Sequence, residues 1–391
     1  MSMSAEAYIP LCEPYLGGRE WDYVKDCLDS GWVSSVGAYV DRFESMLAEY
    51  TSCAKAVACV NGTSAIHTAL MVAGVKPGDE VITSTLTFIA PVNAISYAGA
   101  WPVLIDAEID HWQMDVAKVE SFIENDCEHR EGALWNRKTG RRVSAIVPVH
   151  ILGHPVHLTP LLALAAKHGL PVIEDSTESL GSTCDGKPTG SLGLLGCFSF
   201  NGNKLLTTGG GGMIVTNDET LAKAAKHLTT QAKCSVTEFI HDQVGYNYRL
   251  TNIQAAMGCA QMERIEHHIT RKKEIAEVYR RAFAGNPLIE LYENASWAES
   301  CEWLFSLRFK DLPPSLNRTV IQQKLHEQKI GARPLWQPMH LSPAHQDLGT
   351  FECPVADVLY GSALSLPCSV GLTETQQTRV IETLLDILAK S

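Results

Sequence analysis

One lysine, Lys204, stands in the stretch FSFNGNKLLTTGGGGM (residues 198–213), after Asn201, Gly202 and Asn203 and ahead of four consecutive glycines. A lysine among glycines can cradle a phosphate, sit in a flexible linker, decorate a surface hairpin, or be held for covalent chemistry. A nucleoside-triphosphate loop needs GxxxxGK[ST], with the glycines before the lysine. Here they follow it and lead into the β-like run GGMIVTN. A linker is disfavoured because the glycines lie between two candidate strands of one sheet. Surface hairpin and covalent chemistry remain open on local sequence.

Three other segments supply partners for such a lysine. LPVIEDSTESLGS places Glu174 and Asp175 at the carboxyl end of an apolar run, where open α/β sheets bind ligands; an acidic residue there can also be a plain helix cap. CVNGTSAIHTAL is a strand, a glycine turn and a helix opening on Thr63 and Ser64. Its N–H groups and hydroxyls suit an anion as well as a simple N-cap. STLTFIAPVNAI ends a strand near Phe88, an aromatic for stacking or for the core. Together these are the parts of a pyridoxal-phosphate (PLP) site: an amine for a Schiff base, a carboxylate for the pyridine nitrogen, a helix N-terminus for the phosphate and a ring to stack on.

The elements that must position these residues follow a βαβ rhythm. Strands are expected over residues 54–61, 79–88, 101–108, 144–150, 170–177, 196–201 and 211–217. Several are apolar on both faces, as in a parallel or mixed sheet covered by helices. Between them HLTPLLALAAKHG is expected to be a helix with Thr159 as N-cap, Pro160 at its first helical position and Gly169 as its stop. The charged stretch 124–142 interrupts the pattern as a solvated insertion or hairpin. From Thr251 or Asn252 one long helix is expected through AF at 282–283, leading to residues 363–368 as a strand and a capped final helix. The boundaries implied are a large domain over 1–250 and a linking helix with a smaller α+β domain over 251–391.

The 391 residues are 45% hydrophobic and 19% charged, with a net charge of −12. That balance gives no electrostatic reason to bind nucleic acid or anionic lipid. MSMSAEAYIPLCEP has no basic start or apolar core of a signal peptide, and no run approaches the roughly 20 apolar residues of a membrane span. The twelve cysteines form no CxxC pair, which suits reduced thiols. The expectation is a cytoplasmic enzyme. PVHILGHPVHL spaces His150, His154 and His157 closely, yet neither HExxH nor paired cysteines accompany them. No metal is expected, and His150 is a candidate substrate contact at a strand end.

The chain resembles the DegT/DnrJ/StrS nucleotide-sugar aminotransferases. The likeness runs through YIPLCEPYLGGRE, SGWVSSVGAYVDRFE, NGTSA, TFIAPVNAI, PVHILGHP, EDSTESLGS, FSFNGNKLLTTGGGGM, GYNYRLTNIQAAMG, IGARPLWQPMH and SLP. It implies PLP fold type I: a seven-stranded mixed sheet flanked by helices, plus a smaller C-terminal α+β domain. It also implies that Lys204 forms the internal aldimine and Asp175 pairs with the pyridine nitrogen. Thr63, Ser64 and Ser199 would contact the phosphate and Phe88 would stack. Asn247 would reach the phosphate of a second copy, making a homodimer with shared sites. Glu178 stands where many relatives carry Gln, so a carboxyl group must take that place protonated or with a changed contact.

Within that family the FSFNGNK form, Glu178 and the insertion at 124–142 are most like enzymes that move nitrogen from L-glutamate to C4 of a UDP-linked 4-keto-6-deoxy-N-acetylhexosamine, on routes to bacillosamine and legionaminic-type sugars. GDP-perosamine synthases and 3-keto-sugar aminotransferases are the alternatives. Trp32, Ser34 and Arg333 lie in segments that line the substrate side in relatives. Dehydratases of this type replace the lysine with His, and non-catalytic regulatory relatives lose the lysine or the phosphate residues; this chain keeps them all.

Overall fold

The computed structural model describes residues 7–235, 237–348 and 352–390. The β-branched runs become strands β1 (Lys55–Cys59), β2 (Glu80–Ser84) and β3 (Trp101–Ile105). They are followed by β4 (Cys127–Arg130), β5 (Ala133–Asn136), β6 (Arg142–Val147) and β7 (Ile173–Asp175). After a small hairpin of β8 (Thr183–Cys184) and β9 (Lys187–Pro188) come β10 (Leu195–Ser199) and β11 (Gly212–Thr216). The expected seven-stranded sheet is seen as two hydrogen-bonded sheets, ordered β1-β11-β10-β7 and β3-β2-β6-β5-β4. Isolated parallel bridges, Ile146 to Val172 and Val149 to Asp175, stitch β7 to the end of β6. The start of that same β6 edge is taken by β5, so the charged stretch 124–142 is a hairpin added to the sheet.

Side chains alternate to opposite faces along each strand. Val81, Ala145, Val147, Ile173, Cys197 and Ile214 pack on one side with Ile66 and Leu70 of the helix Gly62–Val72. Ile82, Ile146, Val103 and Ile105 pack on the other with the helices Val116–Asp126 and Leu158–His168. All five residues of β2 and of β11 are buried, which is why those runs carry no polar alternation.

Two helix expectations need correction. The helix Leu158–His168 starts before Thr159, whose hydroxyl bonds Asp185 instead of capping; Gly169 does end it in the left-handed conformation. The long helix after Thr251 is broken into Asn252–Met262 and Ile265–Phe283. At the break Glu263 accepts from Tyr23 and Arg42, and Arg264 donates to the Gly17 carbonyl. The backbone breaks at Arg264, whose N–H bonds the Gln261 carbonyl three residues back instead of four. Thr251 caps the first piece in a capping box with Gln254, and Thr373 does the same with Gln376 for the last helix, Glu374–Ala389.

The C-terminal strands β12 (Ile289–Glu290), β14 (Ser306–Phe309), β15 (Arg333–Pro334) and β16 (Ala363–Ser365) form a separate sheet ordered β12-β14-β16-β15, while β13 (Ala298–Glu299) pairs with β8. Near the other end of the chain Ile9 is bridged to Ile330, so the N-terminal segment is anchored on this C-terminal region.

Candidate active site

Lys204 lies on the loop between β10 and β11. The loop is closed by Phe200, whose N–H donates to Gly211 and whose carbonyl accepts from Thr208, each at 2.9 Å. Within it the Lys204 N–H donates to the Asn201 carbonyl at 3.0 Å. The Asn203 carbonyl accepts the Trp303 indole N–H at 2.8 Å. These bonds aim the lysine into a cavity of about 380 Å³, with its side chain 14% exposed and its Nζ 4.2 Å from the centre of the Trp303 ring. The cavity is also lined by Thr63, Phe88, Glu178 and Ser199. Residues from four separate stretches of sequence therefore meet at one place.

Two carboxyl groups stand beside the lysine. Glu178 Oε1 accepts from Lys204 Nζ at 3.4 Å, and Oε2 accepts from the Leu152 N–H at 2.9 Å. Leu152 turns that N–H inward from a left-handed conformation, φ 62°. Burial pushes the Glu178 carboxyl up to about 7, against the opposing charge of Lys204. Asp175 ends β7, buried and not itself among the residues lining the cavity, and accepts the Thr177 N–H at 3.1 Å. Burial raises its affinity for a proton, partly countered by the Thr177 hydrogen bonds and the charge of Lys204.

The opposite end of the cavity is built for an anion. Asn61, missed in the sequence reading, caps the helix Gly62–Val72 by accepting the Ser64 N–H at 2.8 Å. Ser64 itself is buried, while Thr63 faces the cavity. A Cβ on Gly62 would stand 2.8 Å from the Ser199 Cβ, so only glycine lets the helix end approach Ser199. On the neighbouring strand a Cβ on Gly212 would stand 2.4 Å from the Asn61 carbonyl oxygen. Helix N-terminus, Thr63 and Ser199 thus converge without intervening side chains. That is the setting for a phosphate.

Other candidates lie elsewhere. His150 is fully buried, and both ring nitrogens are committed: Nδ1 accepts the Val156 N–H at 3.1 Å, which leaves Nε2 to donate to Glu174 at 3.1 Å. Glu174 also accepts the N–H groups of Gly190, Leu192 and Gly193. His150 is therefore a structural partner of a buried carboxylate and does not line the cavity, contrary to the sequence expectation. His154 bonds the Pro155 carbonyl and the Ala295 N–H, and His157 stacks on Trp297. Among the described residues no three His, Cys, Asp or Glu side chains are grouped to hold a metal.

Trp32 and Ser34 are tied by their carbonyls to Asn252, Arg333 is exposed on β15, and Asn247 is exposed beside Thr230. None of the four lines the cavity of its own chain. Trp303 and Trp336, absent from the sequence reading, do. Their rings lie nearly parallel, 6.4 Å apart. No local motif announces them.

The residues present fit PLP. An amine, an exposed aromatic (Phe88, 54% exposed) and a side-chain-free anion cradle share one cavity, and the buried carboxyl of Asp175 lies two residues before Thr177 in its wall. The comparisons with known proteins agree. Over 99% of its length the chain is 38% identical to the whole of GDP-perosamine synthase of Caulobacter vibrioides. It is 37% identical, over 96% of its length and 98% of the relative's, to GDP-perosamine synthase of Escherichia coli O157:H7. Helicobacter pylori PseC, an aminotransferase involved in the biosynthesis of pseudoaminic acid, superposes with a TM-score of 0.88 at 25% identity, covering 98% of this chain and 100% of that one. Residues 14–385 match the model of the DegT/DnrJ/EryC1/StrS aminotransferase family. On this agreement of sequence, fold and site, the chain belongs to that family and is a PLP-dependent sugar aminotransferase.

Proposed function

We propose that the enzyme transfers the amino group of L-glutamate to C4 of a GDP-linked 4-keto-6-deoxyhexose, as a perosamine synthase does. The observation that carries this reading is end-to-end similarity to two GDP-perosamine synthases. The UDP-linked N-acetylhexosamine expected from the sequence has less behind it. One of its three supports, the stretch 124–142, is a hairpin at the sheet edge, and none of its residues lines the Lys204 cavity.

Bound PLP supplies an electron sink for breaking the donor's Cα–H bond. The protein's own residues do the rest. Lys204 Nζ takes the proton from the donor carbon and, in the second half-reaction, returns one to the sugar carbon that receives nitrogen. Its short loop, fixed by Phe200, Asn201 and Trp303, keeps that amine in place through both steps. Asp175, as a carboxylate, would keep the pyridine nitrogen protonated, the opposite charge offsetting the cost of its burial. Thr63, Ser199 and the end of the helix Gly62–Val72 hold the phosphate, with Ser64 fixing the cap. Phe88 forms one wall of the cavity.

A homodimer fits the segment that carries Asn247. Phe239 and Val244 on it are 89% and 82% exposed, an apolar surface that a second copy would cover. Asn247 then completes the partner's phosphate site.

The test is a substrate panel with L-glutamate as donor. GDP-4-keto-6-deoxymannose should give a kcat/KM at least tenfold above that of a UDP-4-keto-6-deoxy-N-acetylhexosamine. Equal or faster turnover of the UDP sugar would overturn the assignment.

A further inference from the structure

A second cluster of reactive groups adjoins the Lys204 loop. Lys272, on the helix Ile265–Phe283, is buried and 2% exposed. Its ammonium donates to the Trp303 carbonyl at 2.7 Å, to Cys12 Sγ at 3.5 Å and to Cys368 Sγ at 3.6 Å. Three donors meet three acceptors, and none of these acceptors is a carboxylate. A buried ammonium needs a counter-charge. The ionisable groups that face it are the thiols of Cys12, Cys368 and Cys301.

Cys12 is the one placed to ionise. It is partly exposed, whereas Cys368 and Cys301 are buried. The groups facing Cys12 are Cys368, Lys272 and Lys204; the neighbouring Cys368 thiol, with help from the Lys272 charge, brings it down to about 6. The same neighbourhood and burial push Cys368 up. Cys12 is then the sulfur that ionises more readily, while the Cys368 thiol donates to the Trp303 carbonyl at 3.7 Å. The backbones are joined as well, the Cys368 N–H donating to the Leu11 carbonyl at 2.8 Å.

We infer that Cys12 and Cys368 form a peroxide-reactive thiol pair, with Cys12 as the attacking sulfur, Cys368 as the resolving one and Lys272 as the fixed cation that activates them. Cys12 sulfur attacks one oxygen of a hydroperoxide, the O–O bond breaks, and hydroxide leaves and takes up a proton as water. The resulting sulfenic acid is attacked by Cys368, whose proton leaves with the departing hydroxide as a second water. Two thiols and one hydrogen peroxide give one disulfide and two waters. Cys12 Sγ lies 3.3 Å from the carbonyl of Asn203, the residue before Lys204.

The experiment uses the full-length holoenzyme, hydrogen peroxide as oxidant and iodoacetamide as thiol probe, read by peptide mass spectrometry. At pH 7 Cys12 should be alkylated at least tenfold faster than Cys234, which is exposed and outside the cluster. Peroxide should remove two of the twelve thiols, link the Cys12 and Cys368 peptides with loss of two hydrogens, and be reversed by dithiothreitol. Cys368→Ser should trap Cys12 as a dimedone-reactive sulfenic acid, and Lys272→Met should slow its alkylation at least fivefold. If the Lys272 variant does not fold, the Cys368 variant carries the test. Alkylation of Cys12 no faster than of Cys234, or both thiols recovered free after peroxide, would overturn the inference.

Discussion

The Glu178 carboxyl lies 3.4 Å from the Lys204 ammonium and is held from its other oxygen by the Leu152 N–H. Burial lifts it from an ordinary value of 4.5 to about 7. In the unfolded chain the group ionises near 4.5, whereas in the fold it keeps its proton until about 7. The folded state therefore binds more protons across that window, and stability falls as pH rises through it. Glu178→Gln removes the titration. The cofactor-free wild type should lose about 2–3 kcal/mol relative to the Gln variant between pH 4.5 and 7.5, read from denaturant midpoints. Parallel pH profiles would contradict this.

Gly62→Ala should weaken cofactor binding more than it weakens the fold. The added methyl meets the Ser199 Cβ at 2.8 Å and Thr177 Cγ2 at 3.2 Å. Overpacking of this kind costs about 1–3 kcal/mol, and the strain falls on the phosphate cradle. A rise of tenfold or more in the Kd for PLP, followed by the cofactor's visible absorbance, is the expected result.

Trp303→Phe keeps a ring near Lys204 but removes the donor to the Asn203 carbonyl. Losing one such bond costs about 1 kcal/mol. With the lysine less well fixed, kcat should fall about fivefold and the KM for either substrate should change little. Trp303→Leu also removes the ring and should fall further. Steady-state kinetics with both variants separates loop positioning from substrate contact.

His150→Ala should act on stability rather than on the sugar. It strips the Val156 N–H of its acceptor and the buried Glu174 of one of its donors. A loss of about 2–4 kcal/mol in unfolding free energy is expected, with the KM for the nucleotide sugar within about twofold. A selective rise in that KM would restore the substrate-contact reading.

The strands were legible because β-branched runs of five or six residues leave few alternatives, and the site was legible where those runs end. Lys204, Thr63, Phe88, Glu178 and Ser199 meet because each follows or opens a sheet element. Trp303 escaped notice because it reaches the Asn203 carbonyl across 100 positions of sequence, a distance no local period encodes. His150 was misassigned for the converse reason. A strand-end histidine looks available until Glu174 and Val156 are seen to occupy its ring. The helix break at Glu263 and Arg264 carries no breaker residue, and its side chains bond Tyr23, Arg42 and the Gly17 carbonyl, all distant in sequence. Asn61 could have been found, since Asn before Gly-Thr-Ser is an N-cap pattern.

The contact of Gly212 with the Asn61 backbone bears on how this enzyme can be retargeted. Backbone meets backbone there, so directed evolution has no side chain to trim and no room to add one. At Gly62 the barrier is instead the Ser199 side chain, its Cβ 2.8 Å from where a new Cβ would stand. Trp336 faces the cavity from another element and is not part of that seam. Libraries for new acceptor sugars should concentrate diversity there and leave the glycine seam and the cofactor-facing Phe88 fixed.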